Sequence, residues 1–131
     1  MDSPAIPKLR VLMVEDEEDT ASLLTFLLGR ANYHVIHAKD GRQAQELAGT
    51  IAPPDIVLLD VMLPFFSGLQ VLTYLRALEG WGKVPIIMLT ADGSEHDIKR
   101  ALENGANDYM VKPFNPRELT SRLKRFVDQA A

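Results

Sequence analysis

Residue types suited to phosphoryl chemistry stand at the ends of four of the five short apolar runs in this 131-residue chain. Acidic residues follow the first run and end the third, a hydroxyl ends the fourth, and an ammonium follows the fifth: Glu15, Asp16, Asp60, Thr90 and Lys112. If the runs are parallel strands, the residues at their carboxyl ends meet at one edge of a sheet. Three carboxylates, one hydroxyl and one ammonium would then share one small site.

The three acids favour a hard cation. Clustered carboxylates repel one another and tend to hold protons. Mg²⁺ removes that conflict because it prefers oxygen ligands, and it keeps several waters. We expect Asp16 and Asp60 to be direct ligands, with a backbone carbonyl just after Asp60 as a third and Glu15 close by, through water.

Thr90 and Lys112 extend this site to phosphoryl transfer, because a hydroxyl and a fixed positive charge can bind phosphoryl oxygens. An aspartate can act as a nucleophile and become an aspartyl phosphate. Asp60 is the best candidate, since the other two acids lie on the first strand and are better placed to hold metal. The metal and Lys112 would stabilise the charge on the equatorial oxygens.

Each of these residues also has an ordinary structural interpretation. An acid after a strand can cap the next helix, and Asp60 can be a turn residue. Threonines are common at strand ends, and a lysine before a proline can be a solvated surface residue. Their joint placement at successive strand ends favours the chemical interpretation.

The elements that must position these residues alternate along the chain. Strands are predicted at about 9–14, 35–36, 55–59, 84–89 and 107–111, and helices at 17–31, at 41–48, from 69 to about 80, around 98–103, and from 116 onward. This (βα)5 order predicts an α/β fold, a doubly wound five-stranded parallel sheet with the flavodoxin-like order 2-1-3-4-5. Residues 1–8 are expected to be an N-terminal lead, 9–128 the domain and 129–131 a C-terminal tail.

Two packing expectations accompany this pattern. Helical spacing places Leu23, Leu24, Leu27 and Leu28 on one face of the first helix. Trp81, which lies between two glycines, is expected to be a partly packed loop residue.

Composition narrows the function classes. The formal net charge is −4 and no long basic run is present, so direct nucleic-acid binding by this segment is disfavoured. The absence of cysteine excludes a disulfide scaffold, a zinc–cysteine site and thiol catalysis, and fits a cytoplasmic protein. We expect no signal peptide in residues 1–7 and no membrane contact, because no run approaches the ~18 apolar residues of a membrane span.

Four motifs resemble the receiver domain of two-component response regulators. They are Val11–Glu17, Asp55–Pro64, Pro85–Ala91 and Gly105–Phe114. The resemblance covers about residues 8 to 128, and four motifs in the family's order make it highly specific.

The resemblance implies that Asp60 accepts a phosphoryl group from a sensor histidine kinase or a phosphotransfer protein. It implies that Glu15, Asp16 and Asp60 hold Mg²⁺ together with the backbone carbonyl of Met62. Lys112 matches the lysine of the family, and Pro113 its usual cis peptide partner. Met62 and Asp92 flank the acceptor at positions suited to control water access.

The resemblance also implies a switch rather than an enzyme, one that catalyses only its own phosphorylation and dephosphorylation. Phosphate on Asp60 would draw the Thr90 hydroxyl inward and open space for the Tyr109 ring. The surface of the fourth helix, fifth strand and fifth helix would then change its conformational bias.

This chain departs from the family pattern in two places. The first is the turn after Pro64, which carries Phe65 and Phe66. We expect one of these two rings to pack inward. The other would lie beside the site, where it could contact a partner or shield the phosphate.

The family's dimer face uses charged residues at the positions of Glu103, Asp108, Glu118, Arg122 and Lys124. The pairs Asp108 with Arg122 and Glu103 with Lys124 are preserved. Ile98 stands where a basic partner of Glu118 is expected, however, and Asn107 stands where an acid is expected. A phosphorylation-dependent homodimer therefore stays open, because one surface charge pair contributes only about 1 kcal/mol or less.

Three other interpretations compete with a stand-alone receiver. The receiver could regulate an output domain outside this chain. A Mg²⁺-dependent phosphatase with an aspartyl intermediate would need a second acid two residues after its nucleophile, where this chain has Met62. A flavin-binding protein of the same fold would need a hydroxyl- and amide-rich phosphate loop, whereas the acids of residues 15–19 would repel a phosphate.

Overall fold

Five parallel strands form one sheet in the order β2-β1-β3-β4-β5, which confirms the predicted α/β fold class. The structure is a computed structural model that describes residues 9–91, 93 and 95–128. The predicted lead 1–8, the tail 129–131 and Asp92 lie outside the described residues. The elements are β1 (Leu9–Val14), α1 (Glu18–Arg30), β2 (Tyr33–Ala38), α2 (Gly41–Ala48), β3 (Ile56–Asp60), α3 (Gly68–Ala77), β4 (Ile86–Thr90), α4 (Glu95–Glu103), β5 (Asp108–Val111) and α5 (Pro116–Asp128).

Helices cover both faces of the sheet, and this explains the nearly continuous apolar strands. Successive residues of a strand point to opposite faces. One face of the sheet packs against α2, α3 and α4 through Leu12, Val14, Val57, Leu59, Ile86 and Met88. The other face packs against α1 and α5 through Val11, Met13, Ile56, Leu58, Ile87, Leu89 and Met110.

Two packing expectations are corrected by the structure. Leu23 is 51% exposed, and the buried stripe of α1 consists of Ala21, Leu24 and Leu28, because the i, i+3, i+7 spacing turns Leu23 away from the sheet. Trp81 is only 2% exposed. The loop between α3 and β4 folds its indole into the core, among the residues packed under α3.

Arg76, in the last turn of α3, joins the segments that lead into β4 and β5. Its guanidinium donates to the carbonyls of Gly105 (2.9 Å), Trp81 (3.1 Å) and Val84 (2.7 Å). It also donates to the Asn107 side-chain oxygen at 2.6 Å, which accepts the Ile86 N–H at 2.8 Å. This set, which we call the Arg76 cluster, lies at the amino-terminal edge of the sheet.

Burial lowers the pKa of Arg76 from its usual value. The groups that accept hydrogen bonds from its guanidinium are neutral carbonyl and amide oxygens, not carboxylates. Gly105 has a φ of +108°, and a Cβ on it would lie 3.1 Å from Cγ of Arg76. Glycine therefore suits both the backbone conformation and the close approach at this position.

In the part of the chain that the structure describes, we find no helix that is long and apolar enough to cross a membrane.

Candidate functional site

Three carboxylates meet at the carboxyl-terminal edge of the sheet. Glu15 and Asp16 directly follow β1, Asp60 ends β3, and these strands are neighbours. One oxygen from each side chain can be chosen so that all three lie within 4.8 Å of one another. Glu15 is 1% exposed and Asp60 4% exposed, whereas Asp16 lies at the surface. The predicted convergence is thus seen in the geometry, with two buried acids and one open to solvent.

Lys112 reaches across this edge from the end of β5. Its Nζ donates to Oε1 of Glu15 at 2.8 Å and to Oδ2 of Asp60 at 2.9 Å. The backbone N–H of Lys112 donates to the Thr90 carbonyl at 2.7 Å, which ties the end of β5 to the end of β4. The bond between Lys112 and Pro113 is cis, as the resemblance implies. One ammonium therefore lies between the two buried carboxylates.

Backbone groups hold the remaining oxygens of the buried acids. Oδ1 of Asp60 accepts the N–H of Met62 at 3.0 Å, and Oε2 of Glu15 accepts the N–H of Glu17 at 3.2 Å. A Cβ on Gly68 would collide with the Asp60 carbonyl oxygen, so glycine lets α3 begin directly against the end of β3. Both oxygens of the Asp60 side chain are therefore held by hydrogen bonds, from Lys112 and from the Met62 N–H.

The site carries more negative than positive charge. Burial raises the pKa of Glu15, and the neighbouring Asp60 raises it further, although the hydrogen bond from Lys112 acts in the opposite direction. Burial alone would lower the pKa of Lys112, but its hydrogen bonds and attraction to Glu15 and Asp60 outweigh it and raise that pKa. Three carboxylates face one ammonium, and an all-oxygen ligand set with excess negative charge fits a hard divalent cation.

Thr90 and Tyr109 lie on the neighbouring strands β4 and β5. Thr90, the last residue of β4, is 6% exposed. Tyr109 pairs with Met88 in register and packs against the core under α3 and α4. Its carbonyl accepts Nη1 of Arg122 at 3.1 Å, and the Arg122 guanidinium lies 5.9 Å from the centre of its ring. The two residues of the predicted switch thus occupy adjacent strands, and Tyr109 touches α5.

Four of the five charged residues predicted for a dimer face form ion pairs within the chain. Arg122 binds both oxygens of Asp108, at 2.7 and 2.8 Å, and lies 3.8 Å from Glu118. Glu103 lies 3.8 Å from Lys99, on its own helix. Lys124 makes no ion pair among the residues that the structure describes. Asn107 contributes to the Arg76 cluster instead of to this surface.

The turn after Pro64 divides its two phenylalanines as expected. Phe66 packs against the core, whereas Phe65 is 66% exposed. Met62, earlier in the same connection, is 75% exposed. Phe65 has a φ of +71°, and the N–H of Phe66 donates to the Pro64 carbonyl at 2.9 Å, which makes a strained γ-turn. The Arg42 guanidinium lies 4.2 Å from the Phe65 ring centre. Composition alone gives no signal for this strain or for the contact with Arg42.

Comparisons with known proteins agree with this geometry. The family model described as "Response regulator receiver domain" matches residues 11–124. The chain is 46% identical over 118 residues to the alkaline phosphatase synthesis transcriptional regulatory protein PhoP of Bacillus subtilis, covering 90% of this chain and 48% of that protein. It is 40% identical over 115 residues to the phosphate regulon transcriptional regulatory protein PhoB of Escherichia coli, covering 88% of this chain and 50% of PhoB. The chain therefore spans about half the length of these relatives.

Solved structures show the same fold. The receiver domain of a sensor histidine kinase from Pseudomonas aeruginosa, with a magnesium ion coordinated in its active-site cleft, has a TM-score of 0.86 and 34% identity. That likeness covers 93% of this chain and 99% of the other. The chemotaxis protein CheY4 of Vibrio cholerae has a TM-score of 0.86 and 31% identity, over 92% of this chain and 99% of the other. The chain belongs to the response regulator receiver domains of two-component signalling.

Proposed function

We propose that this receiver takes a phosphoryl group onto Asp60 from a sensor histidine kinase or a phosphotransfer protein. One observation carries the proposal. Asp60 is a buried carboxylate with one oxygen bound to an ammonium and the other to a backbone N–H, and it lies within reach of two further acids. Fixed charges and donors of this kind suit a reaction whose demands are mainly positioning and charge stabilisation.

Asp60 is the nucleophile in this proposal. One of its carboxylate oxygens attacks phosphorus, an O–P bond forms, and the bond from phosphorus to the donor's histidine nitrogen breaks. That nitrogen leaves with the electron pair of the broken bond. Lys112 lies 2.9 Å from Asp60 and is placed to bind an oxygen of the transferring group. Glu15 keeps Lys112 in place through its own hydrogen bond.

Glu15, Asp16, Asp60 and the carbonyl of Met62 would hold Mg²⁺. When bound, the cation offsets the negative charge that three acids and a phosphoryl group bring together. The excess of carboxylates over ammonium groups supports this assignment. Self-catalysed phosphorylation and dephosphorylation are part of the same proposal, whereas no finding favours a phosphatase or a flavin-binding protein.

Incubation with acetyl phosphate tests the proposal. Intact mass spectrometry should show one phosphoryl adduct in Mg²⁺ and none in EDTA. Asp60→Asn should show no adduct. Asp55→Asn is a matched control, because Asp55 is exposed and binds the Arg10 N–H at the opposite edge of the sheet. An adduct that persists in Asp60→Asn or in EDTA would contradict the proposal.

The switch is the second part of the proposal. Phosphate on Asp60 would attract the Thr90 hydroxyl and make room for the Tyr109 ring, whose contacts with Arg122 lead to α5. The rate of amide hydrogen exchange in α4, β5 and α5 should change on phosphorylation. Thr90→Ala should still take up phosphate, but the exchange rates in these elements should change less than in wild type. A full change in phosphorylated Thr90→Ala would contradict this coupling.

The output is proposed from the relatives. The names of PhoP and PhoB describe transcriptional regulation, and the chain matches about half of each. We propose that this receiver controls an output outside the segment, through α4, β5 and α5 or through a phosphorylation-dependent homodimer. The surface residues of such a dimer would be Glu103, Asp108, Glu118, Arg122 and Lys124. A cytoplasmic location and the absence of direct nucleic-acid binding stay predictions.

A further inference from the structure

His37 makes a contact with the acidic cluster that the sequence does not indicate. Its ring nitrogen Nε2 lies 2.8 Å from the backbone carbonyl oxygen of Glu15. A carbonyl can only accept, so Nε2 carries the proton and donates it. The exposed ring of His37 thus binds a main-chain atom of the candidate site.

This carbonyl lies where the pairing of β1 with β2 ends. The register stops at Val14 opposite Ala38, and the Glu15 N–H donates to the Ala38 carbonyl at 3.0 Å. The chain then turns into α2. The N–H of Lys39 donates to the Gln43 side chain at 2.7 Å, and Asp40 caps the helix by accepting the Gln43 N–H at 2.8 Å. The His37 imidazole therefore binds a carbonyl that lies one residue beyond the last paired residue of β1.

The bonded carbonyl belongs to the peptide unit that joins Glu15 to Asp16. A peptide unit is planar, so fixing its oxygen also fixes the direction in which the Asp16 backbone leaves it. Glu15 is held independently, because Oε1 binds Lys112 and Oε2 binds the Glu17 N–H. Among the described residues, the Asp16 side chain makes no ion pair, so its direction depends on its backbone.

We propose that His37 is a positioning residue for the cation site. Its hydrogen bond holds the peptide between Glu15 and Asp16, so that the exposed carboxylate of Asp16 faces Glu15 and Asp60. This inference rests on the proposed function, since it assigns His37 a role in the binding of Mg²⁺ by those acids.

Calorimetric titration of the full chain with Mg²⁺ tests the role of His37. His37→Ala should bind Mg²⁺ about two- to tenfold more weakly, the loss expected for one hydrogen bond. His37→Gln should recover most of the affinity, because its terminal amide nitrogen is as many bonds from Cα as Nε2. His37→Asn should not, because its amide nitrogen is one bond closer. His34→Ala is the matched control, since His34 is exposed on β2 opposite Arg10, away from the site.

Phosphorylation by acetyl phosphate at varied Mg²⁺ separates positioning from a general loss of structure. His37→Ala should need more Mg²⁺ for its half-maximal rate and should reach the wild-type rate at saturation. Affinity of His37→Ala equal to wild type, or equal losses in His37→Ala and His37→Gln, would overturn the inference alone. A wild-type chain that shows no saturable Mg²⁺ binding would overturn the proposed function as well.

Discussion

Each edge of the sheet contains a partly buried cationic side chain, and the groups that it binds differ between the two edges. At the amino-terminal edge, Arg76 donates to backbone carbonyls and one amide oxygen, all of them neutral. At the carboxyl-terminal edge, Lys112 binds two carboxylates, and a third acid lies beside them. The Arg76 cluster satisfies its hydrogen-bonding groups, whereas the acidic site keeps uncompensated negative charge.

The difference indicates where stability and function are located. Phe65, in the turn that follows β3, has a positive φ, which is strained for an aromatic residue; Asn32, before β2 at the other edge, has a similar φ, but asparagine adopts it at lower cost. Strain and unbalanced charge persist only when the surrounding structure holds them, and they are common at functional sites. We interpret the Arg76 cluster as part of the framework that lets the opposite edge stay ready for a cation and a phosphoryl group.

Arg76→Ala should lower stability more than any substitution at the acidic edge. It removes donors from several partly buried backbone carbonyls and from Asn107, so we expect the free energy of unfolding to fall by about 3 kcal/mol. Urea denaturation measures this loss. Arg76→Lys should lie between wild type and Arg76→Ala, because lysine keeps the charge but lacks the planar set of donors.

The control for Arg76 is Arg125→Ala, since Arg125 is exposed on α5. Its effect should stay within about 0.5 kcal/mol. Folded Arg76→Lys should still take up phosphate at Asp60. A loss of phosphorylation in this variant at full folding would show that the two edges are not independent.

Glu15→Gln should reveal the unbalanced charge through its pH dependence. The folded pKa of Glu15 is raised above 4.5, so the folded state binds this proton more tightly than the unfolded state. In EDTA, the stabilisation by the bound proton is present below pH 4.5 and is lost as pH rises through the folded pKa. Glu15→Gln should therefore gain stability relative to wild type across that window. A flat difference between the two urea-denaturation profiles would contradict the raised pKa.

Substitutions of Phe65 should give the smallest of these effects. Phe65→Gly should be more stable than Phe65→Ala by about 1 kcal/mol, because glycine adopts a positive φ without steric cost. Both variants lose the contact with Arg42, so their difference isolates the backbone. Equal stability of the two variants in urea would show that the turn is not strained.

The sequence is sufficient to predict the strand order and the meeting of Glu15, Asp16, Asp60 and Lys112. Alternation of apolar runs and helices restricts the topology, and topology alone brings strand ends together. Placement of each residue at a strand end needs no knowledge of its side-chain contacts.

Other features require the structure because they depend on how loops fold. Trp81 between two glycines gives no sign of burial, and Arg76 has the pattern of an ordinary basic residue in a last helical turn. Asn107 stands out in the sequence only as a change in a dimer face, whereas its side chain binds Arg76 and Ile86. These contacts join residues whose spacing along the chain follows no secondary-structure period.

Urea denaturation of wild type and Asp60→Asn, each in EDTA and in Mg²⁺, is the decisive experiment for the acidic site. We expect Asp60→Asn to be more stable than wild type in EDTA, by about 0.5–2 kcal/mol, because one of three clustered charges is removed. Mg²⁺ should stabilise wild type by an amount that grows with the Mg²⁺ concentration relative to its Kd. It should stabilise Asp60→Asn much less. A less stable Asp60→Asn in EDTA, together with equal Mg²⁺ effects on both proteins, would contradict a site whose unbalanced carboxylates are arranged for a cation.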